Sequence, residues 1–170
     1  MRLNVPFYKA EKDIDCGPIA LQMVASYFGK YRNLKEIAEL ERQLGSGLVW
    51  TAGIARAAKK LKFEVKIISK SNFSHEEDDI EYYKKYSDNE GMKVLRQLVS
   101  EIKALGVEFE EKDISLAELL SLINERAVPI VLLNWNVLKG GAEDNYQGHF
   151  VPIVGYDDEN VYVHNPGMIN

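Results

Sequence analysis

The single cysteine of this chain lies in Asp15-Cys16-Gly17-Pro18, at the start of an apolar stretch with helical periodicity. A thiol at that position meets the unpaired N–H groups of a helix's first turn, which favour the thiolate and so create a nucleophile near neutral pH. A thiolate that attacks a carbonyl also needs a base to take and return a proton, and a third group to hold that base in one tautomer. His149 follows Gly148 and opens the apolar run Phe150-Val151-Pro152-Ile153-Val154, 133 residues beyond Cys16; Asn165 comes 16 residues later, before Pro166. Both separations fit the roughly 130–150 residues between the cysteine and the His and Asn of one class of thiol enzyme. Cys16, His149 and Asn165 are therefore candidates for a thiol nucleophile, its histidine partner and the polar side chain that holds the imidazole.

Each residue has a plainer reading. A lone cysteine is commonly a small buried hydrophobe, although the flanking Asp, Gly and Pro argue against that here. His149 could be a satisfied histidine at a strand edge, Asn165 before Pro166 could simply form a turn, and His164 is the alternative histidine. His75 receives no role. Cys16, His149 and His164 lack the closely paired spacing of a metal site, so no metal is expected. No cofactor is expected either, because Gly45-Ser46-Gly47 and Gly140-Gly141 read as turns rather than nucleotide loops.

The elements that must position the triad follow from periodicity. Val5-Pro6-Phe7-Tyr8 reads as an extended lead-in, followed by a polar turn over Lys9 to Asp15. The first helix starts at Cys16; Pro18 suits its first turn, Ile19, Ala20, Met23, Val24, Tyr27 and Phe28 form its apolar stripe, and Gly29 stops it. Asn33-Leu34-Lys35-Glu36 resembles a capping box and opens a second helix with the apolar face Leu34, Ile37, Ala38 and Leu44, ended by Gly45-Ser46-Gly47. A third helix follows Thr51 and runs through the alanine-rich segment to Leu61, leading into a strand over Phe63 to Ile67. Ser71 to Tyr86, rich in acidic residues and tyrosine, reads as part of an exposed insertion over residues 71–90. Next come a helix carrying Met92, Leu95, Leu98, Val99 and Ile102, closed by Gly106, and a strand Val107 to Phe109. A capped helix Leu116 to Glu125 precedes a short apolar strand Val128 to Leu133, compatible with burial on both faces. His149 to Val154 and Asn160 to His164 form a hairpin around a turn rich in Asp and Asn. The fold class is therefore α+β, with a helical N-terminal half, the cysteine at a helix N-terminus, and an antiparallel sheet in the C-terminal half.

Composition limits the partners. With 170 residues, 46% of them hydrophobic and 28% charged, the chain suits one globular domain spanning residues 1–170. Net charge is −5, and Lys and Arg are scattered, which speaks against a nucleic-acid surface. A single cysteine makes no internal disulfide, no apolar run approaches the roughly 20 residues that span a bilayer, and the N-terminus lacks a secretory apolar segment. A cytoplasmic protein acting on a peptide or protein is expected; the sequence leaves its oligomeric state open.

This layout is that of papain-like enzymes, where the cysteine faces a histidine of the strand half across a cleft. Within that superfamily the chain resembles the bacteriocin-processing (double-glycine leader) peptidases and their peptidase-like relatives. Val5-Pro6-Phe7-Tyr8, Asp15-Cys16-Gly17-Pro18, Tyr27-Phe28-Gly29, Gly148-His149-Phe150-Val151 and Val161-Tyr162-Val163-His164-Asn165-Pro166 look like that family's blocks in its order, while residues 62–126 match loosely. The resemblance implies a cysteine peptidase with Cys16 as nucleophile, His149 as base and acid, and the residue before Pro166 orienting the histidine. There are two departures. The family usually has aspartate where this chain has Asn165, which accepts the same bond but stabilises imidazolium less. The family's oxyanion-donating glutamine, six residues before the cysteine, is Ala10 here. The Cys16 backbone N–H would then serve the oxyanion alone, or with Lys9 or Gln147. Losing one such donor costs about 10²–10³ in rate, which leaves a catalytically impaired, peptide-binding module as an alternative to a peptidase. An acyltransferase using the same residues is a further alternative. Family members continue about one strand past the position of Asn165, so a shortened or truncated C-terminus is expected.

Overall fold

The computed structural model describes residues 1–12, 15–42, 49–70, 88–142 and 146–167. In chain order its elements are α1 (Cys16–Tyr27), α2 (Leu34–Glu41), α3 (Thr51–Lys60), β1 (Lys66–Ser69), α4 (Asn89–Ala104), β2 (Glu108–Glu111), α5 (Leu116–Ser121), β3 (Ile130–Asn134), α6 (Trp135–Leu138), β4 (Gly148–Tyr156) and β5 (Val161–Val163). They form a mixed α+β structure divided into two compact units, Met1–Leu34 with Leu116–Asn170, and Lys35–Ser115.

The first unit is built on the antiparallel sheet β3-β4-β5. Its centre is β4, an apolar run that neighbouring elements cover almost completely from His149 to Gly155. Pro152 sits inside this central strand, where a missing N–H would ordinarily break the ladder. Its partner is Ile130, the first residue of β3, so the gap falls at the end of the pairing. Helix α1 packs along β4, burying Gly17 through Ala25. That helix stops where Gly29 turns to φ +71°, which lets Lys30 N donate to Ala25 O at 2.8 Å and Gly29 N to Ser26 O at 3.0 Å, a glycine-dependent C-cap. The N-terminal lead-in bonds to the far end of β4, with Leu3 N donating to Val154 O at 2.7 Å. Leu3, Val5, Ala10, Ile19, Met23, Ile123, Ile153 and Val154 form the core here, with Leu119 and Leu120 of α5 packed against it.

The second unit packs α3 against α4, with Trp50, Ala55, Ile67, Leu95, Leu98 and Ile102 in its core. Asp88 caps α4 by accepting from Gly91 N at 2.9 Å. β1 and β2 pair in parallel, Lys66 opposite Glu108.

Several boundaries differ from the sequence expectations. The strands expected over Phe63 to Ile67 and Val107 to Phe109 lie at Lys66–Ser69 and Glu108–Glu111, because chain reversals extend past the preceding helices; Lys62 itself adopts φ 66°. α2 ends at Glu41, and Arg42 has φ 54°, so the helix stops before the expected glycines. α5 stops at Ser121 rather than Glu125, because Leu122 N and Ile123 N tighten onto the carbonyls three residues back. β3 is an edge strand with Leu132 45% exposed, not a strand buried on both faces. Leu44, the Gly45-Ser46-Gly47 stop and residues 71–87 of the expected insertion lie outside the described residues. Among the described residues no helix is long and apolar enough to cross a membrane.

Candidate functional site

Cys16 is the first residue of α1 and is partly exposed, at the end of a helix whose next nine residues are buried. Asp15 caps the helix by position only, since its side chain makes no cap bond and no acidic group lies in the first turn. Cys16 thus sits at the positive end of the α1 dipole, directly after an acidic residue.

His149 is the second residue of β4 and only 8% exposed. Its Nε2 lies 2.7 Å from Asn165 Oδ1, across the hairpin formed by β4 and β5. The same oxygen accepts from Gly167 N at 3.1 Å. A flipped amide would turn its NH2 group toward that N–H, two donors face to face, so the oxygen must be where it is. It follows that Nε2 carries a hydrogen and donates it to Asn165 Oδ1, which leaves Nδ1 as the ring nitrogen not used in this bond. Asn165 Nδ2 is buried without a hydrogen-bond partner among the described residues, so the two bonds at Oδ1 are what fix this side chain.

Three residues absent from the sequence reading shape the imidazole's surroundings. Trp135 opens α6, a one-turn helix that periodicity could not reveal, and its ring centroid lies 4.8 Å from that of His149 at 50°. Asn134 holds this turn against the start of β4: its Oδ1 accepts from Asn136 N and Gln147 N, both at 3.2 Å, while Trp135 N donates to Gln147 O at 2.7 Å. Gly167 is the third. A Cβ built there would stand 2.8 Å from His149 Cε1 and 3.3 Å from Nε2, so any larger residue would displace the ring. The visible signals were Asn134 as a possible helix cap and the Asn-Pro-Gly turn.

Ala10 is buried, and its N–H donates to Pro166 O at 2.7 Å. That bond ties the segment before α1 to the turn carrying Asn165. It also removes the Ala10 main-chain donor from any oxyanion, just as its methyl side chain removes the side-chain donor. Lys9 is exposed on the lead-in, and Gln147 is exposed two residues before His149. His164 serves elsewhere: its Nε2 donates to Val5 O at 2.8 Å and its ring meets Phe7 edge-on at 5.4 Å, which ties down the N-terminal lead-in. His75 lies outside the described residues.

Cys16, His149 and Asn165 all lie in the first compact unit, where the buried imidazole meets Asn165 and α1 begins with the partly exposed cysteine. The chain belongs to the Peptidase_C39 like family, whose model matches residues 5–169. That match spans both compact units. No curated protein and no solved structure matches the chain.

Proposed function

We propose that the protein is a cysteine peptidase-like hydrolase of papain-like fold, in which Cys16, His149 and Asn165 cleave a peptide or amide bond. The observation that carries this reading is the His149 Nε2–Asn165 Oδ1 bond with Gly167 N on the same oxygen, which leaves Nδ1 as the proton-accepting atom. In the first step Nδ1 takes the Cys16 proton, the sulfur attacks the substrate carbonyl carbon, and the carbonyl electron pair moves to oxygen. When the tetrahedral intermediate collapses, the C–N bond breaks and Nδ1–H protonates the departing amine, leaving a thioester. Water, deprotonated by Nδ1, then attacks the thioester, and the sulfur leaves to regenerate the thiolate–imidazolium pair.

A second reading has its own support. The buried Ala10 offers no oxyanion donor from side chain or main chain, which favours slow turnover or binding without cleavage. An internally quenched decapeptide mixture separates the two. Cleavage by the wild type, lost in both Cys16→Ala and His149→Ala, supports the peptidase; no cleavage while the mixture is retained on the immobilised protein supports the binding module. Adding an amine acceptor and weighing the products distinguishes hydrolysis from acyl transfer by the same residues.

A further inference from the structure

His149 pairs directly with Leu133 across the β3–β4 ladder, and residues opposite one another in an antiparallel pair project from the same face of the sheet. Leu133, Asn134, Val137 and Leu138 line an open depression of about 440 Å³. Three of the four are aliphatic, and Val137 and Leu138 remain 39% and 61% exposed. The fourth, Asn134, has its side-chain oxygen Oδ1 engaged by Asn136 N and Gln147 N. None of the lining residues carries a charge, so a charged group entering here would lose water without gaining a partner.

We infer that this depression receives an aliphatic side chain of the substrate, on the leaving-group side of the cleaved bond. The inference rests on the peptidase reading above. The side follows from the proton balance: the imidazole that accepted the thiol proton must hand it to the departing amine, so the residue bearing that amine lies against His149. The next side chain on that face of the sheet is Leu133, and beyond it the chain turns through α6 to Val137 and Leu138. An aliphatic group over Leu133 buries apolar surface on both partners. Glycine at that position of the substrate gains none of this, and aspartate is rejected.

The test uses the full chain, ¹⁵N-labelled and carrying Cys16→Ala so that nothing turns over. It is titrated with L-leucinamide, the amine that a cleaved leucyl bond releases, and with glycinamide. The expected result is saturable amide shifts centred on residues 132–138, with leucinamide binding roughly fivefold or more tightly than glycinamide. In Leu138→Asp, a change at an exposed position, these shifts disappear while the rest of the spectrum is retained. Absent shifts, shifts elsewhere, or equal binding by Leu138→Asp would overturn the site. In the decapeptide mixture, wild-type cuts should precede Leu, Ile, Val or Met, and Leu138→Asp should lose that preference; cuts indifferent to the following residue would overturn the inference. If the mixture is not cleaved but leucinamide binding behaves as expected, the hydrolase reading fails, and with it the assignment to a leaving side, while the aliphatic site stands.

Discussion

Replacing Glu41 by glutamine should abolish a specific fall in stability with rising pH. Glu41 closes α2 with 0% of its surface exposed, and neither carboxyl oxygen has a hydrogen-bond partner among the described residues. Three arginines belong to the same unit; none donates to the Glu41 carboxyl, and Arg42 and Arg56 are engaged elsewhere. Arg42 pairs with Glu101 at 2.5 Å, and Arg56 pairs with Glu101 at 2.5 Å while also donating to Leu40 O. The hydrogen bond from Arg56 holds Glu101 below the usual carboxylate range, whereas burial pushes Glu41 well above it. The folded protein therefore keeps a proton on Glu41 after the unfolded chain, with a glutamate pKa of about 4.3, has released it. The Glu41 contribution to stability is complete below about pH 4.3 and is lost progressively as pH rises through the raised folded pKa, at up to about 1.4 kcal/mol per pH unit. From pH 5 to pH 7 that is about 3 kcal/mol at most, against a total of about 5–15 kcal/mol for a typical protein. Glutamine is close in shape and does not titrate, so contributions from Glu101 and other groups cancel when the two proteins are compared. Urea unfolding of wild type and Glu41→Gln at several pH values and constant ionic strength measures the difference. Wild-type stability should decline relative to the variant across this window. Parallel curves would refute the reasoning, since they would mean that the carboxyl finds water or a partner.

Other expectations concern the imidazole. Gly167→Ala should push the ring off Asn165 and lower the Cys16 alkylation rate at pH 6–7 about tenfold or more, with little change in urea midpoint, because Gly167 lies on a surface turn rather than in a core. Trp135→Ala should admit water to the imidazole face and loosen the ring on Asn165; the His149 ring ¹⁵N resonances should then broaden by exchange relative to wild type. Asn165→Ala should do the same and reduce alkylation, whereas Asn165→Asp, which supplies a charge to stabilise imidazolium, should extend alkylation to lower pH; equal profiles for Asn165→Asp and wild type would contradict the assigned role.

Parts of this structure were legible in the sequence, for identifiable reasons. α1 and α4 carry long apolar stripes ending at Gly29 and Gly106, both of which adopt φ +71°, so periodicity and stop signals agreed. The Asp-rich turn between β4 and β5 was also visible: Asp157 Oδ1 accepts from Glu159 N at 2.9 Å and Asn160 N at 2.7 Å. The short strands β1 and β2 were misplaced by one to three residues and their parallel pairing was missed, since four-residue strands give periodicity little to act on. Glu41 lies four residues after Ile37 and so on the same helix face, but its charge concealed its burial. At the site, residue types singled out His149 and Asn165, while Trp135, Asn134 and Gly167 act through a one-turn helix and a turn whose shapes depend on tertiary contacts.

The central claim is that Cys16 is activated by His149. The rate at which iodoacetamide alkylates Cys16 at pH 6, in wild type and His149→Ala, tests it most directly. A free thiol with a pKa of about 8.5 is only about 0.3% thiolate at that pH. A thiolate–imidazolium pair should therefore react at least roughly tenfold faster than free cysteine, and His149→Ala should remove that advantage. A wild-type rate no faster than free cysteine, unchanged in His149→Ala, would contradict the account.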